Sequence, residues 1–165
     1  MTSSNPSFPT QERDARVVAG HEAWTERATP LSGVAFGRED RKLSVEEFRS
    51  LLTRCDIRRP VDDPDRLAMM LEHANLVITA RDNAAKLIGV ARSLTDFSYC
   101  CYLSDLAVDD AWQSQGIGQR LIAETKRLVG PQCMVLLVSA PKPVGFYRHI
   151  GMEPITTGFM IRRDS

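Results

Sequence analysis

The chain lacks the marks of a membrane span, a metal site or a nucleic-acid surface. It contains no run of about 18 apolar residues, so no spanning helix is expected. Its first 30 residues are polar, with Asn5, Pro6, Pro9, Glu12 and Arg13, and hold no apolar stretch suited to a secretory signal. The four cysteines, Cys55, Cys100, Cys101 and Cys133, show no C-x-x-C spacing and no neighbouring histidine, so no metal is expected. Cys100 and Cys101 are adjacent, point to opposite faces of a strand and make poor disulfide partners. Reduced thiols packed in the core of a cytoplasmic protein are the expectation. Lys and Arg number 21 and so do Asp and Glu, leaving no basic surplus for phosphodiester backbones. The pairs Arg58-Arg59 and Arg162-Arg163 read as solvated faces.

What is present fits one globular domain. At 165 residues, 43% hydrophobic and 25% charged, the chain can bury a core. Residues 1–30 read as a flexible extension, with a short helix at Ala15 to Trp24, and 31–165 as a single domain. Val34-Ala35-Phe36 suggests a first strand. Ser44-Val45-Glu46-Glu47 is a capping box opening a helix that aligns Val45, Phe48, Leu51, Leu52 and Cys55. Asp63-Pro64 starts a second helix, with Leu67, Met70, Leu71 and Ala74 on its apolar stripe. The apolar period then shortens. Leu76–Ala80, Leu87–Leu94 and Tyr99–Val108 read as strands of an antiparallel meander. A helix from Gly118 to Val129 stops at Gly130-Pro131. Met134–Val138 is apolar enough for a strand buried on both faces, and its helical connection makes it parallel to the preceding strand. A short helix at Val144 to His149 ends at Gly151, and Ile155 to Ile161 supplies the last strands.

The richest signal is Gln113-Ser114-Gln115-Gly116-Ile117-Gly118, between a strand and a helix. Glycines there let the backbone approach a ligand, and the first-turn N–H groups face it with the positive end of the helix dipole. A pyrophosphate suits such a turn. No Gly-Lys-Ser/Thr exists for a P-loop, and Leu121 stands where a dinucleotide fingerprint needs its third glycine.

Three segments together resemble the GCN5-related N-acetyltransferase family, over roughly Leu76 to Ile161. They are Leu106-Ala107-Val108 with Asp109-Asp110-Ala111-Trp112, the Gln113–Gly118 loop, and Gly145-Phe146-Tyr147-Arg148-His149-Ile150-Gly151-Met152, where Met152 replaces the usual Phe. Ile88 to Asp96 is also similar to serotonin N-acetyltransferase relatives. The resemblance implies an α+β fold: a mixed, mostly antiparallel twisted sheet of about six to seven strands with about four helices, splayed between strands 4 and 5.

It further implies an acyltransferase that takes acetyl-CoA as acyl donor, without a metal, and passes the acetyl group to a primary amine. Backbone groups of Gln113, Ser114, Gln115, Gly116, Ile117, Gly118 and Gln119 would hold the pyrophosphate, and Leu106, Ala107 and Val108 the pantetheine arm. An N–H near Val108 would polarise the thioester. Tyr147 matches the family tyrosine near the CoA sulfur and is the expected general acid, since a phenol with pKa about 10 can protonate a departing thiolate. The base stays open. Ser104 stands where relatives often carry Glu, and Asp105 is the nearest carboxylate, with a hydrogen-bonding role as its alternative. His149, His73 and ordered water are the other options. Arg92, Asp96, Tyr99, Tyr102 and Ser104 are acceptor-site candidates, and Asp96 beside aromatics suits a cationic or aryl amine. A small amine (aryl alkylamine or polyamine) is favoured, with a protein lysine or N-terminus, or a non-catalytic acyl-CoA sensor, as alternatives. No nucleic-acid or membrane partner is expected, and a homodimer is.

Overall fold

Two capped helices lie between the first strand of the sheet and the other four. Val45–Thr53 forms α1, whose Ser44 hydroxyl accepts from the Glu47 N–H. Pro64–Glu72 forms α2, whose Asp63 carboxylate accepts from the Arg66 N–H. Each satisfies a donor that the helix itself leaves unpaired. The computed structural model describes residues 31–40, 42–55, 57–141 and 143–164. The expected extension and its helix at Ala15 to Trp24 lie outside the described residues.

Strands β1 (Val34–Arg38), β2 (Leu76–Asp82), β3 (Leu87–Thr95), β4 (Cys100–Val108) and β5 (Met134–Leu136) form one sheet in that order. The first four are antiparallel neighbours, and β5 lies parallel to β4. The parallel step follows from α3 (Ile117–Val129), which carries the chain across one face of the sheet. Helix α4 (Val144–His149) follows β5. The sheet is therefore mixed and open, as the resemblance implied, with five strands among the described residues rather than six to seven.

The two faces of the sheet bury different clusters. Leu76, Ile78, Ile88, Ala91, Cys101 and Leu103 pack with Ile117, Leu121 and Ile122 of α3. Val77, Leu87, Val90 and Ala107 pack with Phe48, Leu51 and Leu52 of α1 and Leu67 and Leu71 of α2. Both faces are covered over the central strands β2 and β3, whose residues are buried in near-continuous runs. No described helix is long and apolar enough to cross a membrane.

The C-terminal part departs from expectation. The strand expected over Met134–Val138 ends at Leu136, and Met134 and Val138 are exposed. No strand forms over Ile155 to Ile161, where Phe159 and Ile161 are fully exposed. Apolar and β-branched residues favour an extended chain but supply no hydrogen-bonding neighbour, and without one a strand does not form.

Candidate active site

Strand β4 loses its neighbour halfway along. It pairs with β5 only over Cys100–Tyr102, opposite Met134–Leu136. Beyond Tyr102 it keeps β3 on one side, and no described strand lies on the other. This is the splay the family resemblance implied.

Beside the splay stands the start of α3. Gly116 at φ 84 forms its N-cap, and no side chain caps the first turn. That turn carries no Asp or Glu to compete for its N–H groups. Ser114 also has positive φ, at 62°, which turns the loop tightly between β4 and α3. A Cβ on Gly118 would stand 3.3 Å from Phe146 Cζ, and within 4 Å of Val108 and Leu106 side-chain carbons. A side chain there would have to push the Phe146 ring aside by a few tenths of an ångström, because α4 and β4 converge on this position. The donor set, the dipole and the missing side chains together fit an anion of the pyrophosphate kind.

The other loop residues shape the turn. The Gln113 side-chain amide donates to the Val108 carbonyl at 3.2 Å and to Asp110 at 2.6 Å. Gln115 donates to the Ala111 carbonyl at 3.4 Å. The Ile117 and Ala107 side chains are buried, so only their backbone groups can face a ligand. Asp109, buried at the end of β4, is paired with Arg54 at 2.7 Å and Lys86 at 3.5 Å. Burial pushes its carboxyl up, but the Arg54 hydrogen bond, the Ala111 N–H and the Lys86 charge outweigh that and hold it below the usual range.

Tyr147 lies on α4, half-buried, with its ring edge-on to Phe146 at 5.1 Å. It packs against the core cluster that Leu106 and Val108 also adjoin. Burial pushes its phenol above the ordinary value, so it stays protonated at neutral pH.

The structure scatters the remaining candidates. Asp105 is fully buried, and its two oxygens accept from Arg59 and Arg92. A carboxylate occupied by two guanidiniums and closed to solvent has no lone pair facing an amine, which removes it as the free base considered from sequence. Arg92 is buried too, donating to Asp105, to the Met70 carbonyl at 3.0 Å and to Ser104 Oγ at 2.9 Å. Its donors point into the α2 side of the sheet, not to an acceptor. Arg59, expected on a solvated face, keeps only 26% of its side chain exposed. The signal was there to find: an aspartate inside an apolar strand requires a cationic partner.

Tyr102 and Asp96 do come together. They line an open groove of about 420 Å³ with His73, Leu94, Cys100 and Leu136. Asp96 accepts from the N–H groups of Tyr99, Ser98 and Cys100, which hold its carboxyl down at about 2. It organises the β3–β4 turn and stays ionised at the groove rim. Tyr99 is 70% exposed and lies outside the groove lining. His73 caps the end of α2, and His149 is exposed at the end of α4. No cluster of metal-ligating side chains occurs among the described residues.

Residues 73–154 match the family described as acetyltransferase (GNAT) domain. The chain belongs to the GNAT acetyltransferase family. A probable acetyltransferase of Glycine max, TAP2, is 26% identical over 123 residues, covering 67% of this chain and 48% of that protein. The chain spans about half the length of the curated relatives it matches, 48% of one and 61% of another. A GNAT family acetyltransferase from Streptococcus pneumoniae superposes with TM-score 0.66 at 24% identity, over 80% of this chain and 99% of that one. The aminoglycoside N-acetyltransferase AAC(6')-Iy, solved in complex with CoA, superposes with TM-score 0.62 at 16% identity, over 82% and 98%. The fold of this GNAT domain is thus shared with proteins of quite different sequence.

Proposed function

We propose that this GNAT domain transfers an acetyl group from acetyl-CoA to the primary amine of a small molecule. The observation that carries the reading is the meeting of three elements. The unpaired edge of β4 and the uncapped start of α3 converge at Gly118, where the helix bearing Tyr147 closes in. An amide-rich pantetheine arm would lie along β4, with its pyrophosphate on the α3 first turn. The thioester supplies the activated acyl group. The amine nitrogen forms a bond to its carbonyl carbon, the carbon–sulfur bond breaks, and Tyr147 gives its proton to the departing sulfur. The amine's surplus proton leaves to water, because Asp105 is not available.

The groove favours an amine with an apolar body. Leu94, Tyr102 and Leu136 offer apolar surface, and Asp96 offers a permanent negative charge at the rim. The test is release of free CoA, read with a thiol reagent, across aryl amines, polyamines, aminoglycosides and lysine peptides. Turnover confined to small amines supports the proposal. Turnover confined to peptides replaces it with a protein acetyltransferase. Binding of acetyl-CoA without turnover on any acceptor points to the sensor alternative, and no binding at all removes the reading of the loop.

A further inference from the structure

Strand β4 contains one residue too many for its partner. Arg92 sits opposite Asp105 and Ser93 opposite Leu103, so Ser104 has no counterpart in β3. Such a bulge reverses the side-chain parity of the residues beyond it. Cys101 and Leu103 face α3, whereas Ala107 faces α1 and α2. Leu106 and Val108 consequently turn to the α3 side, next to Gly118. In an unbulged strand they would point to the opposite face.

An extra residue can migrate along a ladder unless something fixes it, and here a buried polar cluster surrounds it. The Asp105 carboxylate accepts from Arg59 Nε through one oxygen and from Arg92 Nε through the other. The same arginines grip the bulged residue itself. Arg92 donates to Ser104 Oγ at 2.9 Å, and Arg59 donates to the Ser104 carbonyl at 2.7 Å. Arg92 reaches on to the Met70 carbonyl of α2 at 3.0 Å, and Arg59 to its neighbour's carbonyl at 2.8 Å. One guanidinium would suffice to neutralise one carboxylate. The second connects the loop after α1 to the backbone of the bulge, and the two planar forks fix its direction.

We infer that Asp105, Arg59 and Arg92 are positioning residues that pin the β4 bulge, and through it the backbone edge and side chains of Leu106–Val108. None of the three touches the reacting atoms. The inference rests on the acetyl-CoA reading above, because the edge they fix is the one assigned to the pantetheine arm. If the clamp opens, the pantetheine half of the site loses its register. The α3 first turn, set by the positive φ angles of Ser114 and Gly116 and anchored through Ile117, Leu121 and Ile122 in the core, does not.

Titration calorimetry separates the two halves. Wild type, Asp105→Asn and Arg59→Gln are compared for CoA and for adenosine 3′-phosphate 5′-diphosphate, which lacks pantetheine, well below each melting temperature. The expected result is a CoA Kd raised about tenfold or more in both variants, with the Kd of the nucleotide fragment within about twofold of wild type. Equal losses for both ligands would reduce the cluster to general structural support and overturn the inference. So would unchanged CoA affinity in a folded variant. Arg59→Gln, at a partly exposed position, keeps the test open if Asp105→Asn does not fold. The pH–rate profile of Asp105→Asn should keep the shape of wild type; loss of its acidic limb would make Asp105 a base instead. Wild type that binds neither ligand overturns the acetyl-CoA reading itself, whereas wild type that binds CoA with unaffected variants overturns only the positioning role.

Discussion

The two halves of β4 were built under opposite constraints. From Cys100 to Tyr102 the strand has β3 on one side and β5 on the other, and its backbone groups are used up in the ladder. From Leu103 to Val108 it has β3 alone, and no described strand pairs with its other edge. The closed half resembles the interior of any sheet. The open half is held in place by side chains instead of by a neighbour: Arg59 and Arg92 on the bulge, Arg54 and Lys86 on Asp109, and the Gln113 amide on the Val108 carbonyl. A strand edge can bind something when its neighbour is missing, provided that polar groups replace the neighbour's mechanical role. That explains why buried charge concentrates around the open half, where a purely apolar core would let the strand shift.

The largest effect is expected at the open half's chemistry. Tyr147→Phe should lower kcat for acetyl transfer by about a hundredfold or more, the usual scale for a lost general acid, while leaving acetyl-CoA affinity nearly unchanged. Steady-state kinetics with the best acceptor checks it, and a loss within about threefold would remove Tyr147 from the chemistry.

Next in size is the stability of the clamp. Asp105→Ala should destabilise the protein by about 3–5 kcal/mol in urea unfolding, since it leaves two guanidiniums facing one another without their shared anion. A value near zero would mean that the open half does not depend on the cluster. Gly116→Ala forces a side chain into φ 84 and should cost about 1–2 kcal/mol, with weaker CoA binding measured by thermal shift.

The smallest effects sharpen the comparison through pH. Asp96 opens the hairpin of the closed half, and Asp109 ends the open half. Both carboxyls lie below their ordinary range in the fold, Asp96 at about 2. A depressed folded value means that the unfolded chain binds the proton more readily. The stabilisation is therefore complete above the unfolded value of about 3.9 and disappears as pH falls through the folded one. The stability gap between wild type and Asp96→Asn should be constant from pH 7 to about 5 and shrink toward pH 2, with the same sign for Asp109→Asn. A gap that widens on acidification contradicts the direction of both shifts.

Several elements were legible as sequence because their signals are local. The capping residues Ser44 and Asp63, the shortened period from Leu76, the Gly116–Gly118 turn and the stop at Gly130 each depend on neighbours within a few residues. They stand where expected. Less local readings fared worse. Ile155 to Ile161 has the pattern of a strand, but pairing requires a partner edge that the pattern does not name. Arg58-Arg59 looks like a solvated pair until Asp105 arrives 46 positions away in sequence to bury Arg59. Asp105 itself lies next to Ser104, and only the bulge at Ser104 shows which face it takes.

The sequence by itself determined the order of elements, the glycine turn before α3 and the short helix that carries Tyr147, because helix caps, glycine φ angles and strand alternation act over a few bonds. Tertiary structure alone decided which carboxylate is free and which is clamped. It also decided where β4 loses its neighbour and which residues share the groove beside Tyr102. Those depend on register between strands, and one unpaired residue in a ladder turns every later side chain to the other face.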